Sequence, residues 1–346
     1  MHIRNVLVCG ATGQLGTHIT NGLLDSPEDF NVSILVRETG LQDPSKQAVV
    51  TVLQSRGAKV VFVPDISFTL EGLTESLQGF DCVISTVGTP SVESQYIILE
   101  AAQRAGVQRF IPSSWGFDFD KLPRDVHPVW DAKRKFHQTL LDSGMDYTII
   151  CLGVLYESFF TPFFGFDLQR RQVLTRGDLD AKFAVTSYSD IASWLPKMLL
   201  DPACRNAHVN VCSQIVSFRE AVQCFEEASG SPFDVDIKSC SLPGRCGQAD
   251  CWCGFSECIL YIISHGGAMI DNAWNVARGE RATSMREFAE RAVTRRLPAL
   301  TYLAISGEKT LHSPSHTRLA RSRNAIMVES VLSDDFPWPV LSADCG

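Results

Sequence analysis

No stretch of this chain is apolar for long enough to span a bilayer. Nor does it open on a charged and then apolar leader: the first residues run straight into a strand-like segment and a glycine turn. These absences point away from membrane and secreted classes and toward a reducing, cytoplasmic setting. Positive charge is also in short supply. The chain has 31 Lys and Arg against 39 Asp and Glu, a net charge of −8, so as a whole it offers no electrostatic case for nucleic acid. The 12 cysteines lack the paired C-x₂-C spacing of zinc sites. Their densest group, Cys246, Cys251, Cys253 and Cys258, is spaced C-x₄-C-x-C-x₄-C, and no metal site is expected. Cys9, Cys82 and Cys151 stand in apolar runs, where thiols act as small hydrophobes.

What is present is a regular alternation. "NVLVC" (Asn5 to Cys9) reads as a buried parallel strand, and "QLGTHITNGLLD" (Gln14 to Asp25) has the apolar spacing of a helix. Further strands are expected at 31–37, 59–65, 81–88, 108–116 and 146–154, with helices at 46–58, 69–80, 91–107 and 131–145 between them. Short connections between alternating strands and helices predict a Rossmann-like α/β fold, a doubly wound parallel sheet, over residues 1–154. Residues 155–300 read as a smaller C-terminal substrate domain and 301–346 as an irregular tail. Within 155–300, helices are expected at 189–202, 217–230 and 284–300 and a strand at 207–213. From Arg278 to Arg323 ten Lys or Arg stand against four Glu, either a solvated face or a tail for an acidic partner.

Between the first strand and helix lies G-x-x-G-x-x-G. A tight turn needs one glycine; three, at Gly10, Gly13 and Gly16, suggest a phosphate cradle. Gly10 and Gly13 would let a pyrophosphate approach the backbone, and Gly16 would let the helix pack on the strand. The second strand ends at Arg37, 21 residues after Gly16. An acid there favours NAD and a base accommodates the 2′-phosphate, so the expected cofactor is NADPH, with Glu38 as a nearby counterweight. Thr12, Gln14 and Leu15 in the turn, and Thr86 and Gly88 at the fourth strand's end, complete the expected cofactor contacts.

The Tyr-x-x-x-Lys pair of many short-chain dehydrogenases is missing: four residues before Lys133 stands Val129. Lys133 nevertheless begins a helix after the fifth strand and can face the crevice. Its neighbours Arg134 and Lys135, with a cationic nicotinamide, would lower its pKa into a useful range. The aromatic run "YESFFTPFFGFD" (Tyr156 to Asp167) has no period. Tyr156, Phe159 and Phe160, with Ser114, are the candidate substrate-pocket residues; ordinary packing is the other reading of that run.

"GATGQLG", "LVR", "FIPSSWG" and "AKRKFHQTLLDSGMDYTII" together resemble the NmrA-like and isoflavone reductase-like branch of atypical short-chain dehydrogenases, from Met1 to about Asp236. The resemblance implies a Rossmann domain binding NADPH, with Gly10, Gly13 and Gly16 on the pyrophosphate and Arg37 on the 2′-phosphate. It implies Lys133 as the catalytic or nicotinamide-contacting lysine. Plant proteins of this kind reduce phenylpropanoid or isoflavonoid double bonds and benzylic ethers, fungal ones often serve secondary metabolism, and others are regulators that bind dinucleotide without known turnover. The expected substrate here is a small, aromatic or polyketide-like metabolite of secondary metabolism, the alternative is a non-catalytic dinucleotide-binding regulator, and the expected state is a monomer or homodimer. Two residues depart from the pattern: Ser114 stands where Glu is common and Trp115 where Phe is common, which implies a different pocket.

Overall fold

The computed structural model describes residues 3–88, 91–240 and 254–294. β1 (Asn5–Cys9) alternates between two apolar layers: Val6 and Val8 enter one core, Leu7 and Cys9 the other. That is why the strand reads as a continuous apolar run. It is followed by α1 (Gln14–Leu24), β2 (Asn31–Arg37), α2 (Pro44–Ser55), β3 (Lys59–Val63), α3 (Leu70–Ser76), β4 (Cys82–Ser85), α4 (Ser94–Arg104), β5 (Arg109–Ile111), α5 (Pro128–Asp142) and β6 (Asp146–Cys151). The α5 helix starts three residues before the sequence pattern suggests. Pro128 supplies a preset φ in its first turn, and His127 caps it by accepting from the Val129 N–H.

The rest of the described chain forms β7 (Val154–Leu155), α6 (Tyr156–Phe159), β8 (Phe166–Asp167), β9 (Gln172–Arg176), β10 (Lys182–Thr186), α7 (Tyr188–Leu200), β11 (Ala207–Asn210), β12 (Gln214–Ser217), α8 (Phe218–Ser229), β13 (Asp234–Lys238), α9 (Phe255–Ser264), α10 (Trp274–Ala277) and α11 (Met285–Thr294). Ser217 and Glu220 make a reciprocal capping box at the start of α8, and Gly230 ends it with φ 65°.

The main sheet has seven parallel strands in the order β11-β6-β5-β4-β1-β2-β3. The strand order reverses between β1 and β4, the place where sheets of this kind form a crevice at the strands' carboxyl ends. A cut at residue 154 does not separate the two parts. β11 pairs with β6, with the Asn206 N–H on Tyr147 O at 2.8 Å and the Val211 N–H on Cys151 O at 2.9 Å, so an otherwise open sheet edge is satisfied. α7 lies on α1 so closely that a Cβ at Gly22 would stand 2.1 Å from Ala192 O.

The second part is built on two three-stranded sheets, β12-β10-β7 and β13-β9-β8. Its core is aromatic, with Phe159, Phe166, Phe183, Phe218 and Phe225 all at most 1% exposed. α9 buries Cys258, Ile259, Ile262 and Ile263 in the same core, and α11 packs on α8. The segment Cys258 to Gly267 therefore does not present its apolar side chains to solvent. Cys246, Cys251, Cys253, the tail 301–346 and the basic stretch beyond residue 294 lie outside the described residues.

Candidate functional site

At the crevice the three glycines divide by purpose. Gly10 has φ +86°, and a Cβ there would stand 2.7 Å from Thr86 O. A Cβ at Gly16 would stand 2.3 Å from Gly10 O and 2.6 Å from Thr86 Oγ1. Both are consumed by the fold, because Thr86 donates its N–H and its hydroxyl to Cys9 O at 2.8 and 2.9 Å and draws the ends of β1 and β4 together. Gly13 is different. It is exposed, its backbone is extended (φ −82°, ψ 163°), and a Cβ would meet only Gly10 O at 3.4 Å. Nothing among the described residues demands glycine there, and the space beside its Cα is open. No side chain caps α1 at Gly13, and its first turn carries no acid, so the helix's N-terminal N–H groups and dipole suit an anion. Thr12, Gln14 and Leu15 are half-buried around this seat.

Arg37 stands exposed at the end of β2, its guanidinium 5.2 Å over the Phe68 ring. No carboxylate pairs with it among the described residues. Glu38 does not compete for the same space, since its Oε2 accepts from the Asp65 N–H at 3.3 Å.

The loop after β5 is stitched to the end of β4. Ser113 N–H donates to Gln95 Oε1 at 2.7 Å, Ser113 Oγ to Val87 O at 2.8 Å, and Trp115 Nε1 to Ser85 O at 2.9 Å. Gly88 is exposed beside it and accepts from the Ser91 N–H at 2.9 Å. Ser114 is placed otherwise than as a pocket wall. Its hydroxyl bonds His137 Nε2, and His137 Nδ1 faces Asp120 Oδ2 at 3.1 Å. The hydrogen bond from His137 holds the Asp120 carboxyl below the usual range, with Nδ1 on the carboxylate side and Nε2 on the Ser114 hydroxyl. The order serine, histidine, carboxylate invites a hydrolase reading, and burial rules against it. Ser114 and His137 are each 2% exposed, and the Ser114 N–H is spent on Pro112 O at 2.8 Å. The array pins the loop to α5.

Lys133, in the second turn of α5, is half-buried with its ammonium 5.0 Å over the Phe119 ring. It has no hydrogen bond or ion pair among the described residues. Burial brings its pKa down to about 8. The expected cause, its basic neighbours, is not the operative one. Arg134 turns to Asp131 at 2.5 Å and to the Phe119 and Leu122 carbonyls at 2.8 and 3.1 Å, and Lys135 is exposed.

Tyr156, Phe159 and Phe160 are not at a pocket wall either; they are 0%, 1% and 3% exposed in the aromatic core. Tyr156 stacks on Phe288 at 4.8 Å, and Phe160 meets Phe166 edge-on at 4.8 Å. The unperiodic run is core because it turns between the two small sheets and faces α8 and α11. The Tyr156 hydroxyl donates to Thr283 O at 3.3 Å, and burial pushes the phenol well above its ordinary range. Tyr156→Phe is expected to cost about 1 kcal/mol of stability in a denaturant titration and to leave cofactor affinity unchanged; a loss of affinity would return Tyr156 to the site.

The pattern of the NmrA-like family matches residues 3–237. This chain belongs to the NmrA-like family. A Nicotiana tabacum isoflavone reductase homologue is 31% identical over 241 residues, 66% of this chain and 75% of that protein. Among solved structures, an isoflavone reductase superposes with a TM-score of 0.73 at 21% identity, over 84% of this chain and 99% of that one. A leucoanthocyanidin reductase from Vitis vinifera, described as a binary complex with NADPH, gives 0.71 at 20% identity over 84% and 99%. The family match ends at residue 237, whereas these superpositions cover 84% of the chain, more than the matched segment. No described helix is long and apolar enough to cross a membrane.

Proposed function

We propose that this chain is an NADPH-dependent reductase of a small, aromatic or polyketide-like metabolite of secondary metabolism, with Lys133 as the proton donor. The observation that carries the reading is the state of Lys133: a half-buried ammonium on α5, without a counter-ion among the described residues and with its pKa brought down to about 8. A dinucleotide sensor without turnover needs the glycine turn and Arg37 but has no use for such a lysine. The names of the relatives, isoflavone reductase homologue and phenylcoumaran benzylic ether reductase among them, support the same class.

The residues present fit the cofactor. Gly13 leaves room for the pyrophosphate at the uncapped start of α1, and Arg37, steadied by Phe68, is free to meet a 2′-phosphate. Bound NADPH supplies a hydride, which leaves the acceptor with an electron pair in need of a proton. Lys133 holds that proton at Nζ. A pKa near 8 keeps Nζ largely protonated at neutral pH and makes its release easier than from an ordinary lysine. The Phe119 ring covers the ammonium on one side and limits its hydration.

Titration calorimetry with NADPH and NADH tests the cofactor assignment. Wild type is expected to prefer NADPH, and Arg37→Ala to lose roughly 10- to 100-fold in NADPH affinity with little change for NADH. Equal affinity for the two in wild type would remove the 2′-phosphate role of Arg37. Turnover in a panel of aromatic enones, benzylic ethers and quinones, lost in Lys133→Met, tests the reductase itself.

A further inference from the structure

We infer that Asp118, Cys151 and His208 form a binding site for one divalent transition metal ion of the zinc class. A carboxylate oxygen, a thiol sulfur and an imidazole nitrogen from these residues all lie within 4.8 Å of one another. Tetrahedral zinc with bonds of about 2.0–2.3 Å holds such donors about 3.3–3.7 Å apart, so side-chain adjustments of about an ångström close the set. Mixed oxygen, sulfur and nitrogen donors are the set zinc accepts, and three protein donors leave a fourth position for water.

The backbone fixes the three donors although they come from separate segments. Cys151 ends β6, and Gly116, two residues before Asp118, bridges to it; Leu152 and Gly153 N–H groups both bond Gly116 O, at 2.8 and 3.1 Å. β11 is in register with Asn210 opposite Cys151 and His208 opposite Ile149. Opposed residues of parallel strands share a face, so His208 and Cys151 lie on the same side of the sheet. Asp120 backs the set as an outer carboxylate, its Oδ2 3.9 Å from His208 Nδ1 and 3.1 Å from His137 Nδ1.

The surroundings suit a cation. Lys121 already places its ammonium 2.8 Å from Asp118 Oδ2, and with its side chain 75% exposed it can swing into water when a metal ion takes its place. His208, 32% exposed at the side chain, provides the entry path, while Cys151 is buried behind it. The three residues are 33 and 57 positions apart, so no ligand spacing announces the site in the sequence.

Titration of the reduced, metal-free full chain with Co²⁺ tests the site without any substrate. One ion per chain is expected, with a thiolate-to-cobalt charge-transfer band in the near ultraviolet that Zn²⁺ abolishes on displacement. Cys151→Ser is expected to remove the band. His208→Ala, at a surface position, is expected to weaken binding by about 100-fold or more and Asp120→Asn by about 10- to 100-fold, each with NADPH affinity retained as evidence of an intact fold. A folded wild type with no band overturns the site. So does a band that survives in folded Cys151→Ser, which assigns it to another cysteine, or unchanged affinity in His208→Ala.

Discussion

Lys133→Met is expected to cut turnover by about 100- to 10,000-fold, to leave NADPH affinity within a few-fold of wild type, and to make the protein more stable. The first effect follows from removing the proton donor. The third follows from the environment of the ammonium, which is half-buried against the Phe119 ring with no hydrogen-bonding or ionic partner among the described residues. In an unfolded chain a lysine titrates near 10.5, and here the folded value is about 8. At pH 7 the ammonium is charged in both states, and its desolvation opposes folding by about 1–3 kcal/mol, which methionine relieves. Between pH 8 and 10.5 the unfolded chain binds the extra proton, so wild-type stability rises with pH and the advantage of Lys133→Met shrinks across that window. Denaturant titrations of both proteins at pH 7 and pH 10 measure the difference; equal stabilities at pH 7 would show that the ammonium is well solvated. In the reductive direction kcat/KM is expected to fall above about pH 8 as Nζ loses its proton.

The glycine turn gives the second large effect, a contrast between neighbours. Gly16→Ala forces a methyl group 2.3 Å from Gly10 O and 2.6 Å from Thr86 Oγ1, both held by the junction of β1 and β4. A loss of roughly 3 kcal/mol or more is expected, read as a lower denaturation midpoint. Gly13→Ala meets nothing closer than 3.4 Å in an ordinary backbone conformation, so stability is expected to stay within about 0.5 kcal/mol of wild type. Its cost is expected with the cofactor: with the pyrophosphate placed at this turn as proposed, the new methyl group takes space the phosphates need, and NADPH affinity is expected to fall about tenfold or more. Comparable NADPH affinity in Gly13→Ala would move the pyrophosphate off this turn.

The first βαβ unit was readable almost to the residue, because one pattern carries both secondary structure and burial there. Val6 and Val8 serve one core, Leu7 and Cys9 the other, and the glycines mark the turn. The start of α5 was missed by three residues because its cap is a histidine, an uncommon cap, although Pro128 marked the boundary. The 207–213 strand was read as a strand, but periodicity says nothing of its partner, and β11 returns to β6 across the 55 residues between Cys151 and Ala207. In the aromatic run, Phe159 and Phe160 are alike in composition whether they line a pocket or fill a core; only the facing elements decide, and those include β10, α8 and α11, all further along the chain. The links from Ser114 to His137 and on to Asp120 are likewise set by the close of the loop on α5, which single-sequence spacing does not contain.

The return of β11 also has a consequence for the newborn protein. When β6 leaves the ribosome, the sheet that carries the cofactor crevice has a bare flank, and its covering strand is still to be made. At about 5–20 residues per second the wait lasts seconds, during which the backbone of β6 can pair with any strand that passes, including its counterpart on the next ribosome along the message. In the finished fold α7, which precedes the covering strand in the chain, packs on α1 at the Gly22–Ala192 contact, next in sequence to β11 on β6. Cell-free synthesis with stalls placed before and after residue 210 would catch this stage as a change in protease resistance of the glycine turn.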